Sequence, residues 1–175
     1  MAKLLNKDRL KFYLIFIITG ILCVLFLIPE KTKDIDLIST ITSANYIPLI
    51  LNNIYIFYIY TKTKKVKSIY DKIVTRIGTK KLFYKYILNS IIDIIFYFII
   101  TYLIIYLKLG INLHYINFLY LFIFLNFSNF LIQELISMSI FIVEKGNKYI
   151  IIPIIMNLLF HYYLIPFLVL KYIGY

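Results

Sequence analysis

The chain has 175 residues, 62% of them hydrophobic and only 15% charged, with a formal net charge of +11 and a mean hydropathy of +0.88. Soluble domains carry about 25% charged residues, so this composition leaves no room for a separate aqueous domain and points to a single transmembrane domain over residues 1–175. One cysteine, Cys23, excludes internal disulfides and multi-thiolate metal sites.

A helix needs about 20 residues, at a rise of ~1.5 Å each, to cross the hydrocarbon of a bilayer. Residues 10–28 are the first such run. Lys3, Lys7 and Arg9 precede the run and Lys11 lies near its start, as basic residues stand before the core of a secretory leader. The run ends in Ile28, Pro29, Glu30 and Lys31 without a small-residue cleavage pattern, so it is read as a retained helix. Residues 37–60 carry no charge, 84–107 carry Lys85 and Asp93, 113–143 carry only Glu134, and 149–170 form the last run. The expected fold is all-α, a polytopic transmembrane helix bundle of five spans, with a sixth only if one of the last two runs folds back.

Charge sets the expected orientation. Residues 1–11 carry net +3 and residues 61–85 net +8, and the two together are the whole +11. Cytoplasmic loops are enriched in Lys and Arg, so the N-terminus and residues 61–85 are placed in the cytoplasm. The loop 30–36, with Glu30, Asp34 and Asp36 against Lys31 and Lys33, and the turn at 108–112 are then outside. The loop 144–148 returns inside and Tyr175 lies outside. Ile, Lys, Asn, Tyr and Phe dominate, Ala occurs only at positions 2 and 44, and Trp is absent. That is the amino-acid signature of an AT-rich genome and points to a bacterial cell membrane. Tyr55, Tyr58 and Tyr60, near a span end, are read as interface anchors.

The chemistry the sequence lacks narrows the function. No G-x-x-x-x-G-K-[ST] run occurs among the five glycines, so ATP hydrolysis would have to come from another subunit. His114 and His161 lie in different segments and no H-E-x-x-H pair exists. The expectation is therefore no catalytic residue, no metal and no cofactor. Cys23, deep in its span and far from any histidine that would activate a thiolate, is read as a packing residue, and so is His161.

The stretch 66–86 reads VKSIYDKIVTRIGTKKLFYKY. Ile69, Ile73 and Ile77 recur every four residues with Val66, Tyr70 and Val74 beside them, which predicts one apolar stripe on a short helix lying in the membrane plane. Lys67, Ser68, Asp71, Lys72, Thr75 and Arg76 make its solvated face, and Gly78 can end it. Charge alone would make this an ordinary anchoring loop that touches anionic headgroups. Residues 71–86 also resemble the cytoplasmic segment between the second and third spans of ABC-2-type transporter permeases from Gram-positive bacteria, with Arg76, Gly78, Lys80, Lys81, Phe83 and Lys85 at the matching positions. The resemblance implies that Ile69, Asp71, Lys72, Ile73, Arg76 and Gly78 form a coupling helix. The partners it implies are an ATP-binding subunit in trans and a second permease copy or a partner membrane subunit. Residues 1–11 resemble that family's N-terminal interfacial helix. The resemblance covers the layout of residues 1–107, and the family's sixth span has no counterpart here.

Within the spans, Asp93 carries a cost of ~2.5 to 3.5 kcal/mol near a helix centre on insertion scales and is expected to face the bundle, protonated or paired. Asn126, Asn129, Gln133 and Ser137 form a polar stripe along one side of the fourth span, with Glu134 beside it. Each is read singly as an interhelical hydrogen-bonding residue, and Asn52, Asn53 and Asn157 likewise. The expected function is a permease-like subunit exporting an antimicrobial peptide or other amphiphile, with lipid but no nucleic acid as a partner. The alternatives are a bacteriocin immunity membrane protein without transport activity and, ranked lower because small residues are scarce, an S-component of a vitamin uptake complex.

Overall fold

The computed structural model describes residues 2–27, 37–45, 47–110, 116–139 and 150–172, which are helical almost throughout and contain no strand. In chain order the helices are α1 (Ala2–Leu27), α2 (Leu37–Ser43), α3 (Asn52–Ser68), α4 (Tyr70–Ile77), α5 (Thr79–Leu109), α6 (Ile116–Met138), α7 (Ile151–Leu159) and α8 (Ile165–Tyr172). Wider π-helical turns at Ile47–Leu51 and Phe160–Leu164 lead into α3 and join α7 to α8. Four of the described helical runs are long and apolar enough to cross a membrane: Arg9–Leu27, Thr79–Leu109, Ile116–Met138 and Ile151–Val169.

The second predicted span differs from its expectation. Residues 37–60 are interrupted after α2, and helix resumes at Ile47–Leu51 with Pro48 in its first turn, where the missing backbone donor is tolerated but a helix continuing from α2 would lack a hydrogen bond. α3 then runs on to Ser68, so Lys62, Lys64, Lys65 and Lys67 are helical residues and not loop residues. Nor do residues 2–11 form a helix of their own; they are the first turns of α1. Each of the last two runs is one continuous helical stretch over its described residues, without folding back. The expectations for residues 30–36, 111–112 and 144–148, and for Tyr175, fall outside the described residues.

Helix directions follow from the contacts. α1 runs parallel to α5 at a constant offset of 84 residues, which pairs Arg9 with Asp93 and Lys108 with the Val24 carbonyl. Midway, Gly20 lets the helices approach, since a Cβ there would meet Ile104 Cδ1 at 3.3 Å. α3 and α6 run the other way against α5, as the pairs Lys62–Ser90, Asn52–Tyr97, Glu134–Tyr86 and Asn126–Tyr102 require. The start of α1, the end of α3, α4, the start of α5 and the end of α6 therefore share one end of the bundle, which we call the basic end. Lys64, Lys65, Lys80, Lys81 and Lys85 are exposed there. At the opposite end the Leu37 N–H donates to the Gly110 carbonyl at 3.1 Å.

The core is a continuous aromatic and aliphatic cluster. Phe12 stacks on Tyr58 at 3.9 Å, Tyr13 on Phe96 at 3.8 Å and Tyr55 on Tyr97 at 4.8 Å, and Phe130 meets the last two edge-on. The outward faces are equally apolar: Leu14, Ile18, Leu25 and Phe26 on α1, and Ile92, Ile95, Ile99 and Leu103 on α5, are all exposed. Water would strongly disfavour so continuous an apolar surface, whereas a hydrocarbon environment suits it.

Candidate functional site

Four ionisable side chains from four helices meet inside the half of the bundle nearer the basic end. Asp93 on α5 and Glu134 on α6 are 1% exposed, and Lys62 on α3 lies between them. Its ammonium donates to Glu134 Oε1 at 2.7 Å, to Ser90 Oγ at 3.0 Å and to Asp93 Oδ2 at 3.3 Å, which uses all three of its N–H donors. Arg9 on α1 reaches Asp93 Oδ1 through Nε at 2.5 Å and the Asn89 carbonyl through Nη2 at 2.9 Å. Two cations thus face two carboxylates, and the cluster is neutral as a whole.

Hydroxyls complete it. Tyr13 donates to Asp93 Oδ1 at 2.6 Å and Tyr58 to Oδ2 at 3.1 Å, so each Asp93 oxygen accepts two hydrogen bonds. Tyr86 donates to Glu134 Oε2 at 3.0 Å, and its hydroxyl lies 2.6 Å from that of Thr63. The rings of Tyr86 and Tyr58 stand 4.8 and 5.5 Å from the Lys62 nitrogen. Desolvating two carboxylates and two cations is favourable only with this density of partners, and the aromatic rings that supply the hydroxyls also shut out water. Asp93 is thus paired, which is one of its two expected states. Asn at this position would leave Arg9 and Lys62 with one carboxylate fewer and is not the neutral exchange it would be for a purely hydrogen-bonding residue.

A second polar layer lies nearer the other end. Asn52 accepts from the Tyr97 hydroxyl and donates to Asn157 Oδ1 at 2.6 Å, while Asn157 donates to the Pro48 carbonyl at 2.9 Å. Pro48 sits in the π-helical turn before α3, so this layer ties the break in the chain to α5 and α7. It fits the interhelical hydrogen-bonding role expected of Asn52 and Asn157. The stripe on α6 fits that role less well. Asn126, Asn129, Gln133 and Ser137 are all buried, but Ser137 bonds its own helix. Asn126 donates to Tyr102 at 3.1 Å, whereas Asn126 Oδ1, Asn129 Nδ2 and both amide atoms of Gln133 have no protein partner.

The predicted coupling segment is two pieces. Val66 belongs to the end of α3, the chain turns at Ile69, and α4 alone carries Asp71, Lys72, Ile73 and Arg76. Gly78 ends α4 with φ +77°, a conformation side chains rarely adopt, and its N–H closes on the Val74 carbonyl at 2.8 Å. Asp71, Lys72, Thr75 and Arg76 are exposed, as expected. Ile73 is buried in one apolar cluster with Val66, Leu82, Tyr86 and Met138, so the stripe seats α4 chiefly on α5, within a cluster that α3 and α6 also join. Tyr86 belongs both to this apolar cluster and to the Glu134 hydrogen bond, and so links α4 to the ionic centre.

Sequence reasoning had singled out Asp93 and Glu134 but not that they share a lysine. By charge pattern alone Lys62 reads as one of the loop cations of 61–85 and Arg9 as one of the orienting charges of 1–11. A usable signal was present: Tyr55, Tyr58, Lys62 and Val66 follow one another at helical spacing, which places a lysine on an otherwise inward face. No protein-family model, curated protein or solved structure matches the chain.

Proposed function

We propose that this protein is the membrane subunit of an ABC-type exporter in a bacterial cell membrane, coupled through α4 to a separate ATP-binding subunit. The observation that carries the reading is α4 itself: eight residues with a charged, exposed outer face and an apolar inner face seated against the residues that bound the ionic centre. A partner bound to Lys72 and Arg76 would push on Ile73, hence on Tyr86, and through Glu134 on Lys62 and Asp93. Four helices converge there, so displacement at α4 reaches α1, α3, α5 and α6 together. The amphiphilic substrate class and the second permease copy are part of the same proposal.

The reading also includes five crossings of the bilayer, with α3 and its preceding turn as the second and the basic end in the cytoplasm. In a Cys23→Ala background, Thr75→Cys is expected to be shielded in intact cells from an impermeant thiol reagent, and Thr32→Cys to react. Thr63 is unsuitable as a probe because it is fully buried beside Tyr86. Reaction of Thr75→Cys from outside would invert the proposed orientation.

The coupling test reverses charge on the exposed face. Lys72→Glu with Arg76→Glu, purified from the native host through an affinity tag, is expected to lose a co-purifying protein that azido-ATP labels in the parent preparation. Topology should stay unchanged, because seven basic residues remain in 61–85. Retention of the labelled protein, or its absence from the parent preparation, would overturn the coupling role and favour the immunity reading.

A further inference from the structure

A cleft of about 340 Å³ opens between α1 and α3 on the side of the bundle. Its walls grade from polar to apolar. Lys11, Lys62 and Lys65 line it together with Phe12, Ile54 and Phe57, and no carboxylate does. Ile54 lies eleven residues before Lys65 on α3, about 16 Å along the axis, close to the ~15 Å depth of one hydrocarbon leaflet. Phe57 is 59% exposed, so the cleft is open towards lipid. The three donors of Lys62 are taken by Ser90, Asp93 and Glu134, which leaves its alkyl stem as wall. Lys11 and Lys65 are exposed at the polar end.

We infer that this cleft holds an anionic phospholipid from the leaflet at the basic end, its phosphate between Lys11 and Lys65 and one acyl chain along Phe12, Phe57 and Ile54. Three features select this occupant. The ionic centre is balanced by Arg9 and Lys62, and Lys11 and Lys65 lie outside it as exposed cations beside the cleft. Beyond the cations the wall turns apolar at Phe12, Phe57 and Ile54, which suits a chain attached to a headgroup better than a free anion. And the opening faces the hydrocarbon, from which a lipid enters sideways. Because α1 and α3 both contribute to the ionic centre through Arg9, Tyr13, Tyr58 and Lys62, the lipid would sit as a wedge beside it. The inference does not depend on α4 binding a partner.

The test is native mass spectrometry of the full chain in detergent, titrated separately with phosphatidylglycerol and phosphatidylcholine. Phosphatidylglycerol should be retained in preference to phosphatidylcholine, and Lys11→Gln with Lys65→Gln should lower its retention about 30-fold, each lysine contributing its share to the attraction for an anionic headgroup. Lys80→Gln with Lys81→Gln removes the same charge from the same end outside the cleft and should leave retention near the parent value. Ile54→Trp, which fills the apolar part, should weaken phosphatidylglycerol binding while both lysines remain. Equal loss in the two lysine pairs would reduce the effect to general attraction and overturn the site. Equal binding of phosphatidylcholine would overturn the headgroup assignment, and full competition by inorganic phosphate would overturn the lipid in favour of a free anion.

Discussion

Lys62→Met is expected to lower the thermal midpoint of the detergent-solubilised protein more than substitution of any exposed lysine. The methionine nearly matches the stem in volume, so the packing loss is small and the effect isolates the ammonium. Without it Ser90 loses a donor, and Glu134 keeps only the hydroxyls of Tyr86 at 3.0 Å and Tyr55 at a weak 3.4 Å. Asp93 still has Arg9. The uncompensated group is thus Glu134, and breaking a buried pair from one side costs about 3–5 kcal/mol, a large part of the ~5–15 kcal/mol that holds a typical domain folded. Adding Glu134→Gln to Lys62→Met should recover most of the loss, because the neutral amide oxygen still accepts from Tyr86 and the remaining Arg9–Asp93 pair is balanced. Lys64→Met serves as the exposed control. A parental midpoint for Lys62→Met, or a double variant worse than the sum of the single ones, would show that water and not Lys62 compensates the carboxylates.

The same residue shows what was and was not legible in the sequence. Apolar runs of membrane length announce α1, α5, α6 and α7–α8, because transfer free energy is summed over about 20 residues and tolerates local exceptions. The run at 37–60 is free of charge, yet its helix is interrupted ahead of Pro48: a charge count measures transfer and is blind to a missing backbone donor. That Asp93 must face inward also followed from cost alone. Its partners did not, since pairing is a matter of azimuth and depth on helices distant in sequence, and the dense lysines of 62–67 mask the continuation of α3 to Ser68. The exposed face of α4 followed from four-residue spacing. What lies under its apolar side did not, because a stripe of Ile and Val serves equally to float on headgroups or to pack on helices, and only tertiary structure decides between them.

Ile73→Asp separates those two uses of the stripe. A helix of eight residues does not hold together by itself in water, so α4 is expected to depend on the apolar cluster that Ile73 forms with Val66, Leu82, Tyr86 and Met138. Removing a buried isoleucine side chain costs about 2–5 kcal/mol, and placing a carboxylate in that apolar seat adds to it. The loss should be local. The ionic centre is held by α1, α3, α5 and α6 independently of Ile73, so amide hydrogen exchange over residues 70–77 is expected to rise about 100-fold or more while residues 90–105 of α5 keep their protection. Ile73→Val, which removes one methylene, should stay within a few-fold of the parent. Lys72→Glu with Arg76→Glu, lying on the exposed face, should leave the exchange of α4 nearly unchanged. Both the charge-reversed and the Ile73→Asp proteins would then lose an α4-bound partner for different reasons, the first with its docking helix in place and the second without it. Parental exchange in Ile73→Asp would mean that the stripe rests on headgroups after all, and the proposed mechanical path from α4 through Tyr86 to Glu134 would have no starting point.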